Sequence, residues 1–437
     1  MRRSFAITTL GCKVNRYESE AIGEALLAEG WRRNSGNRPA ELSIINTCTV
    51  TAKAAAQSRQ AVRKQIRDHG GPIVVATGCG AQSEPQGFAE ISGVHYVVGN
   101  SFKGAIARLV GSDGDFLSVP ETRVDDIRRC GEFQDLPITR FGNRTRCFVK
   151  IQDGCDAFCS YCIVPYVRGP SRSLRLSTVL QRLEALKTSG YSEAVLCGIH
   201  LGRYGEDLEP TRSLFGLIRA VDELPSAPRL RLSSVEPLEL SEDLIDYLAV
   251  SRRVCPHLHI PLQSGDDGIL AAMNRPYGSV QVERLTHQIK ETLPDAAIGM
   301  DVLVGFPGET ERAFDQTCAL IRRLPVSYLH VFPFSPRAGT PAATLPNPVP
   351  SSVIKARCRQ LRRLGRRKRH TFHAQCIGRT AQVIFEGQRD RATGRLKGFT
   401  ANYIPVRMEG AGPPPGDVTE VRLDRIEDHW VVAKPLR

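Results

Sequence analysis

The stretch Ile151-Gln152-Asp153-Gly154-Cys155-Asp156-Ala157-Phe158-Cys159-Ser160-Tyr161-Cys162 follows the apolar run Cys147–Ile151, which predicts a short buried strand. Its cysteines have the spacing C-x3-C-x2-C. Three thiolates this close can hold three corners of a cubane iron–sulfur cluster, and no fourth cysteine follows nearby, unlike in electron carriers. One iron would therefore stay open to an external ligand, which suits a reaction centre. A zinc site is the alternative, but it would need a distant fourth ligand.

Six short apolar runs alternate with helical patterns between about residue 143 and residue 340. The candidate strands are Cys147–Ile151, Ala194–Gly198, Leu230–Ser233, Leu258–Ile260, Gly299–Val304 and Leu329–Phe332, with helices that include Val179–Ser189, Leu240–Ala249 and Val282–Thr292. This alternation predicts parallel strands with right-handed crossovers, arranged as a complete or partial barrel. Reactive groups of such barrels lie at the C-terminal ends of the strands, where Gly154 would permit a sharp turn.

The first 110 residues show a similar alternation. Strands are predicted over Phe5–Leu10, Leu42–Thr47, Ile73–Thr77 and Tyr96–Val98, and helices over Tyr17–Glu29 and Ala52–His69. The pattern indicates an α/β domain with a parallel sheet. Residues 111–140 lack the pattern and are interpreted as a linker.

Three further cysteines, Cys12, Cys48 and Cys79, each follow one of these predicted strands. Parallel strands bring their C-terminal ends to one edge of the sheet, so the three thiols should converge in space. Convergence would supply a second cluster with three protein ligands. Coincidence is the alternative, because cysteine is often buried in α/β cores.

The C-terminal part combines a basic run with a β pattern. Eight Lys and Arg residues and no acidic residue fall within residues 357–369. No helical pattern is found from residue 372 onward, and strands over Ala381–Phe385, Phe399–Val406, Val418–Leu423 and Trp430–Ala433 predict a small β-barrel. A basic run beside such a barrel suits contact with RNA phosphates, and a solvated surface is the alternative. Phe399 and Tyr403 are expected either to stack on bases or to pack in the barrel core.

Composition bounds the class of protein. The 437 residues are 41% hydrophobic and 24% charged, and 59 Lys and Arg stand against 46 Asp and Glu. These values argue against a collagen-like or disordered chain, and no apolar run approaches the roughly 18 residues of a membrane span. The thirteen cysteines are odd in number and unevenly spaced, which argues against a secreted disulfide scaffold. We expect a cytoplasmic, unprocessed protein with no membrane partner.

The motifs together resemble those of the radical S-adenosylmethionine methylthiotransferases. Cys155, Cys159 and Cys162, the radical triad, match the ligands of that family's radical cluster. Cys12, Cys48 and Cys79, the auxiliary triad, match the ligands of its auxiliary cluster. The C-terminal segment resembles its small RNA-binding barrel, the TRAM domain. The resemblance implies a methylthiotransferase domain at 1–115, a linker at 116–140, a radical core with a partial (β/α)6 barrel at 141–371 and a TRAM domain at 372–437.

Within the family, the segments Gln152–Cys155, Gly198–Gly202 and Leu258–Gly265 look most like those of enzymes that act on N6-threonylcarbamoyladenosine next to the tRNA anticodon. The implied product is the 2-methylthio derivative. Methylthiolation of isopentenyladenosine or of a ribosomal protein is the alternative, and an iron–sulfur protein that binds RNA without catalysis is a third.

The resemblance also implies the cofactors and partners. These are two 4Fe–4S clusters, S-adenosylmethionine, tRNA carrying threonylcarbamoyladenosine and an electron donor of unknown identity. Tyr161 and Gly305 are expected near S-adenosylmethionine. No catalytic acid or base is assigned, because adenine C2–H is too weakly acidic for side-chain chemistry and a cofactor must carry that step.

Five other positions carry expectations. His200 ends the second barrel strand facing the expected site, whereas His257 and His259 are interpreted as structural. Gly80 and Leu174 depart from the family pattern, where Tyr or Met and Arg are usual. Leu174 therefore leaves one contact with RNA or substrate in doubt.

Overall fold

The computed structural model describes residues 3–34, 39–69, 73–111, 120–142, 144–410 and 412–436. It contains an N-terminal parallel sheet, a central β/α region and a closed C-terminal barrel, in the predicted order. The domain boundary expected between residues 115 and 116 lies outside the described residues. Within the described part of the chain, no helix combines the length and apolar character needed to cross a bilayer.

Six strands form the N-terminal sheet: β1 (Ser4–Thr9), β2 (Arg32–Arg33), β3 (Leu42–Thr47), β4 (Ile73–Gly78), β5 (Tyr96–Val98) and β6 (Glu121–Arg123). They pair in parallel in the order β2-β1-β3-β4-β5-β6, which confirms the predicted α/β architecture. The helices of this region are α1 (Lys13–Ala28), α2 (Ala52–His69), α3 (Cys79–Ser83), α4 (Pro85–Ala89) and α5 (Ile106–Gly111).

Two details of this region differ from the prediction. The linker interpretation was wrong for β6, which lies within residues 116–140 and pairs with β5. A strand of three residues, two of them charged, has no apolar period to reveal it. Helix α1 begins at Lys13 rather than at Tyr17, so it starts directly after Cys12.

The central region contains eight strands: β7 (Cys147–Lys150), β8 (Gln152–Asp153), β9 (Arg172–Ser173), β10 (Glu193–Cys197), β11 (Arg229–Leu232), β12 (His257–Gln263), β13 (Ala297–Val304) and β14 (Tyr328–Pro333). Six of them form two parallel sheets, ordered β11-β10-β7 and β12-β13-β14. Two parallel bridges, Leu230 to Val254 and Ser234 to His259, connect the sheets. The predicted partial barrel of six strands is therefore confirmed.

The helices of the central region follow its strands. They are α6 (Val164–Arg168), α7 (Leu176–Thr188), α8 (Leu214–Asp222), α9 (Glu242–Val250), α10 (Asp267–Ala272), α11 (Ser279–Thr292), α12 (Glu311–Arg323) and α13 (Ser351–Cys376). All of them except α6 contribute apolar side chains to one large core that also includes Tyr17 and Ala21 of α1. The hydroxyl of Tyr17 donates to the Leu136 carbonyl at 2.7 Å. Helix α1, which follows Cys12, is thus packed against the barrel.

The C-terminal region is a closed barrel of β15 (Thr380–Phe385), β16 (Leu396–Thr400), β17 (Pro405–Met408), β18 (Val418–Glu427) and β19 (Trp430–Pro435). The predicted single strand Phe399–Val406 was wrong, because the chain turns back at Tyr403, which has a φ of +66°. The expectation of no helix beyond residue 371 was also wrong. Helix α13 continues to Cys376 because Phe372 and Cys376, one turn apart, pack into the barrel core.

Candidate metal centres and cofactor site

The radical triad follows the first barrel strand β7, as predicted, and lies on a loop that β8 and β9 close by antiparallel pairing. Gly154 opens this loop with a φ of +74°. A Cβ there would lie 1.8 Å from the carbonyl oxygen of Pro170, so only glycine fits. Gln152 joins the loop to the next strand, because its side-chain oxygen accepts from the backbone N–H groups of Ile199 and His200, both at 2.8 Å.

Two sulfurs of the radical triad touch nitrogen atoms from other parts of the barrel. His200 Nδ1 lies 3.3 Å from Cys155 Sγ, and its Nε2 lies 2.5 Å from Glu239. Burial alone would lower the pKa of His200, but hydrogen bonds with Cys155 and Glu239 raise it to about 10. Arg275 Nη1 lies 3.0 Å from Cys159 Sγ. Cationic donors beside sulfur suit a centre whose ligands are thiolates rather than thiols.

The auxiliary triad occupies one edge of the N-terminal sheet. Cys12, Cys48 and Cys79 follow β1, β3 and β4, which are neighbours in the sheet, and all three thiols interact electrostatically. Burial raises the pKa of Cys48 to about 11 and also raises that of Cys12. Asn15 connects the ends of β1 and β3, because its side-chain amide donates to the carbonyls of Leu10 at 2.8 Å and Thr47 at 3.0 Å.

A buried ionic network lies behind the auxiliary triad. It contains the cations Lys103, Lys150, Arg168 and Arg172 and the carboxylates Glu18 and Asp153. No side chain in it is more than 8% exposed. Cations outnumber carboxylates by four to two, and Arg168 Nε donates to Cys79 Sγ at 3.2 Å. Because uncompensated buried charge is costly, the donor set fits an anionic, thiolate-bound group at this triad.

Tyr161 and Gly305 lie close to one apolar cluster. Tyr161 packs against a group that includes Phe306, the residue after Gly305. Gly305 has a φ of +83°, and a Cβ there would lie 2.3 Å from Cγ1 of Ile354 in α13. Gly305 therefore allows the backbone to lie close to helix α13. Contact of either residue with S-adenosylmethionine stays a prediction.

Lys13, the first residue of helix α1, lies near charged groups of the central region. Lys13 is exposed to solvent, yet burial lowers its pKa, while Asp301 raises it and Arg231 and Arg146 lower it further. Its ammonium group is therefore close to charged side chains of the central region and still open to solvent. Within the described residues Lys13 has no hydrogen-bond or ion-pair partner.

Strands β12, β13 and β14 contribute three polar side chains to the lumen. His259 Nε2 lies 2.8 Å from Asp301 Oδ1, and His330 Nδ1 lies 3.3 Å from the same oxygen. The hydroxyl of Tyr328 lies 3.1 Å from His259 Nδ1 and 2.7 Å from His257 Nε2. The structural interpretation of His257 agrees with these contacts. Sequence reasoning missed Asp301 and His330, whose positions on neighbouring parallel strands were the available signal.

Phe399 and Tyr403 lie at the junction of the small barrel with the central region. Their rings stack at 5.0 Å, with Arg146 over Phe399 and Arg231 over Tyr403. Neither ring is in the apolar core of the small barrel. Because protein groups already cover both rings, these residues join domains rather than present open faces to bases.

The two departures from the family pattern have a structural context. A Cβ at Gly80 would lie 2.8 Å from Thr47 Oγ1, so a large side chain there would require Thr47 to move. Leu174 is buried in the central core, so its side chain contacts neither RNA nor substrate.

Comparison with known proteins agrees with this geometry. Residues 4–99 match the Uncharacterized protein family UPF0004, and residues 149–321 match the Radical SAM superfamily. The chain is 35% identical to the threonylcarbamoyladenosine tRNA methylthiotransferase MtaB of Bacillus subtilis (strain 168), over 96% of this chain and 93% of that protein. The chain belongs to the radical S-adenosylmethionine methylthiotransferases.

Other relatives of this methylthiotransferase carry two different names. The threonylcarbamoyladenosine tRNA methylthiotransferase MtaB of Aquifex aeolicus is 34% identical, over 93% of this chain and 96% of that protein. The tRNA-2-methylthio-N(6)-dimethylallyladenosine synthase of Sphingopyxis alaskensis is 31% identical, over 99% and 98%. The solved radical S-adenosylmethionine methyltransferase TsrM of Kitasatospora setae shares the fold, with a TM-score of 0.56 at 18% identity, covering 78% of this chain and 77% of TsrM.

Proposed function

We propose that this methylthiotransferase converts N6-threonylcarbamoyladenosine next to the tRNA anticodon to its 2-methylthio derivative. The observation that carries the proposal is the pair of cysteine triads, which lie on either side of α6 and its buried network. Relatives named for this reaction match the chain over nearly its full length. An electron donor must supply reducing equivalents, and we expect the reaction to take place in the cytoplasm.

The radical triad would hold a 4Fe–4S cluster with S-adenosylmethionine, and the auxiliary triad would hold a second cluster. Bound there, these groups supply one-electron radical chemistry and the methylthio group. The chain itself orients the sulfurs through Gln152, His200 and Arg275. Tyr161, which lies between Cys159 and Cys162, packs against an apolar cluster that includes Phe306, and such a surface would limit the access of water to the site.

The positive charge of Lys13 supports the threonylcarbamoyl group as the part of the substrate that the protein recognises. That group ends in a carboxylate, whereas the dimethylallyl group of the related synthases is an uncharged hydrocarbon. An exposed ammonium group that has no ion-pair partner among the described residues can bind a carboxylate through a charge-assisted hydrogen bond. Because Lys13 directly follows Cys12, a threonylcarbamoyl group whose carboxylate binds Lys13 would lie beside the auxiliary triad.

The basic run supports contact with the tRNA backbone. It lies on α13, where Arg359, Arg363, Arg366 and Arg367 are exposed. Other members are used within the protein: Arg357 pairs with Glu309 at 2.6 Å, and Lys368 donates to the Arg322 and Leu324 carbonyls. The four exposed guanidinium groups have no hydrogen bond or ion pair with any residue that the structure describes, so they can contact phosphates.

Anaerobic reconstitution tests the function. Protein loaded with iron and sulfide is incubated with S-adenosylmethionine, dithionite and tRNA that carries threonylcarbamoyladenosine, and the digested nucleosides are analysed by mass spectrometry. We expect the 2-methylthio nucleoside, 5′-deoxyadenosine and about eight irons per chain. Alanine at all three radical-triad positions should abolish both products. Alanine at all three auxiliary-triad positions should halve the iron and abolish only the methylthio product.

A parallel reaction with tRNA that carries isopentenyladenosine separates the substrates. Conversion of that tRNA, with the threonylcarbamoyl tRNA unchanged, would contradict the proposed substrate. Absence of 5′-deoxyadenosine from the fully loaded protein would contradict the enzyme assignment itself.

A further inference from the structure

Arg168 joins the loop of the radical triad to the auxiliary triad. It ends helix α6, six residues after Cys162, and its Nε donates to Cys79 Sγ at 3.2 Å. Ile163 and Val167 of the same segment pack directly against Cys79. The Val167 carbonyl also accepts from Asn100 Nδ2 at 2.6 Å. One wall of the auxiliary triad is therefore built from the chain that follows the radical triad.

The rest of the Arg168 guanidinium is held rigidly. Its Nη1 donates to Glu18 at 2.7 Å and to Asp153 at 3.2 Å, and its Nη2 donates to Glu18 at 3.1 Å and to Asn15. The side chain is 1% exposed. Because the guanidinium is planar, these partners orient Nε–H toward the Cys79 sulfur before any ligand binds.

Asn15 extends this arrangement to the other two cysteines of the triad. While it accepts from Arg168, its amide nitrogen donates to the carbonyls of Leu10 and Thr47. Leu10 precedes Cys12 by two residues, and Thr47 directly precedes Cys48. Arg168 is thus bonded to one sulfur and, through Asn15, to the backbone segments that carry the other two.

The excess of buried positive charge beside the auxiliary triad favours the reduced state of a cluster bound there. The network has four cations and two carboxylates, and the further titratable groups that act on Arg168 are the thiols of Cys79 and Cys12. A 4Fe–4S cluster held by three thiolates is anionic, and it gains a further negative charge on reduction. Nearby cations and N–H groups directed at sulfur stabilise the reduced form and raise the potential.

We propose that Arg168 is a positioning residue that orients Cys79 and raises the reduction potential of the iron–sulfur cluster held by the auxiliary triad. This role rests on the proposed function only in requiring that the triad binds such a cluster. Arg168, which lies just after the loop of the radical triad, would therefore help to set the reduction potential at the auxiliary triad.

The test uses the full-length chain with Cys155, Cys159 and Cys162 changed to Ala, so that only the auxiliary cluster remains. Arg168→Lys keeps a positive charge but not the oriented Nε–H, and Arg168→Met removes both. Arg182→Lys is the matched control, because Arg182 is a largely buried arginine that pairs with Asp135 and Tyr17 and contacts no cysteine in the part of the chain that the structure describes. Iron content and the potential from titration followed by electron paramagnetic resonance are measured.

We expect both Arg168 variants to shift the potential to more negative values, Arg168→Met further than Arg168→Lys, with an altered resonance spectrum. The Arg182→Lys control should match the parent. An unchanged potential and spectrum in an iron-loaded Arg168 variant would overturn the proposal. If Arg168→Met fails to retain iron, Arg168→Lys decides by the same criterion. Parent protein that binds no iron would instead overturn the assignment of the auxiliary triad in the proposed function.

Discussion

Arg275 lies in direct contact with a sulfur of the radical triad, with its Nη1 3.0 Å from Cys159 Sγ. The other guanidinium nitrogens are held by Tyr277 and Glu236, so the group has one orientation. Arg275 follows α10, far from the cysteine loop in sequence, and His200 reaches Cys155 from the loop after β10. The strand ends of the barrel therefore complete the environment of the three cysteines.

Replacing Arg275 with Met should make the radical cluster harder to reduce. The variant lacks a charge-assisted hydrogen bond to sulfur, and hydrogen bonds to charged groups contribute about 1.5–3 kcal/mol. We expect a more negative potential and at least roughly tenfold slower formation of 5′-deoxyadenosine. Potentiometric titration in the auxiliary-triad alanine background checks this. Unchanged potential with full iron would show that the contact has no electronic role.

Gly154→Ala should prevent assembly of the radical cluster while leaving the auxiliary cluster intact. The new Cβ would collide with the Pro170 carbonyl at 1.8 Å, in addition to the cost of a positive φ. We expect iron content to fall by about half and 5′-deoxyadenosine to disappear.

Gly190→Ala is the matched control for that change. Gly190 has a φ of +90°, and no neighbouring atom lies within 4 Å of the position that an alanine methyl group would take. The control therefore shares the backbone strain without the collision, and it should keep both clusters. Equal iron loss in the two variants would show that backbone strain alone explains the effect.

Lys13→Met should weaken recognition of the threonylcarbamoyl carboxylate. Loss of one charge-assisted hydrogen bond predicts a decrease in kcat/KM of about ten- to a hundredfold. A tRNA whose threonyl carboxylate is converted to an amide serves as the probe. Wild-type protein should discriminate against the amide, and Lys13→Met should not. Lys13→Arg should restore part of the discrimination. If Lys13→Met still prefers the carboxylate, another residue reads it.

Glu193→Gln should destabilise the protein in a manner that depends on pH. Burial would raise the pKa of Glu193, but Arg231, Arg229 and Arg146 lower it to about 2 from an ordinary 4.5. A lowered pKa contributes stability that is present above pH 4.5 and lost as the pH falls toward 2. The shift corresponds to about 3 kcal/mol. Denaturant unfolding at several pH values should show a difference between wild type and variant that shrinks below pH 4.5. A difference independent of pH would contradict this account.

Arg363→Gln combined with Arg366→Gln should weaken tRNA binding mainly through phosphate contacts. Both residues are exposed on α13. In a plot of the logarithm of the binding constant against the logarithm of the salt concentration, we expect the slope to become shallower by about one for each phosphate interaction removed. Binding is measured at several salt concentrations, with exposed Arg252→Gln and Arg312→Gln as the control. An equal effect of the control pair would indicate general attraction by net charge.

The order of elements and the positions of both triads follow from local sequence. Buried strands are rich in β-branched and apolar residues, and the strands Leu42–Thr47 and Tyr96–Val98 coincide with their predicted bounds. The auxiliary triad could be anticipated because each cysteine follows a strand, and parallel strands share an edge. Short elements without an apolar period escaped prediction, as β6 did, and so did the turn at Tyr403.

The partners of the cysteine sulfurs were decided only by tertiary structure. Arg168 is 89 residues from Cys79 and Arg275 is 116 residues from Cys159. A buried cation leaves no periodic pattern in sequence, because its position depends on which charges the folded chain brings together and on the cost of leaving one uncompensated. The sequence by itself determined where six thiols and the strands that carry them would be. The folding of the barrel decided which charges surround the radical triad, and the packing of the N-terminal sheet against the barrel decided which charges surround the auxiliary triad.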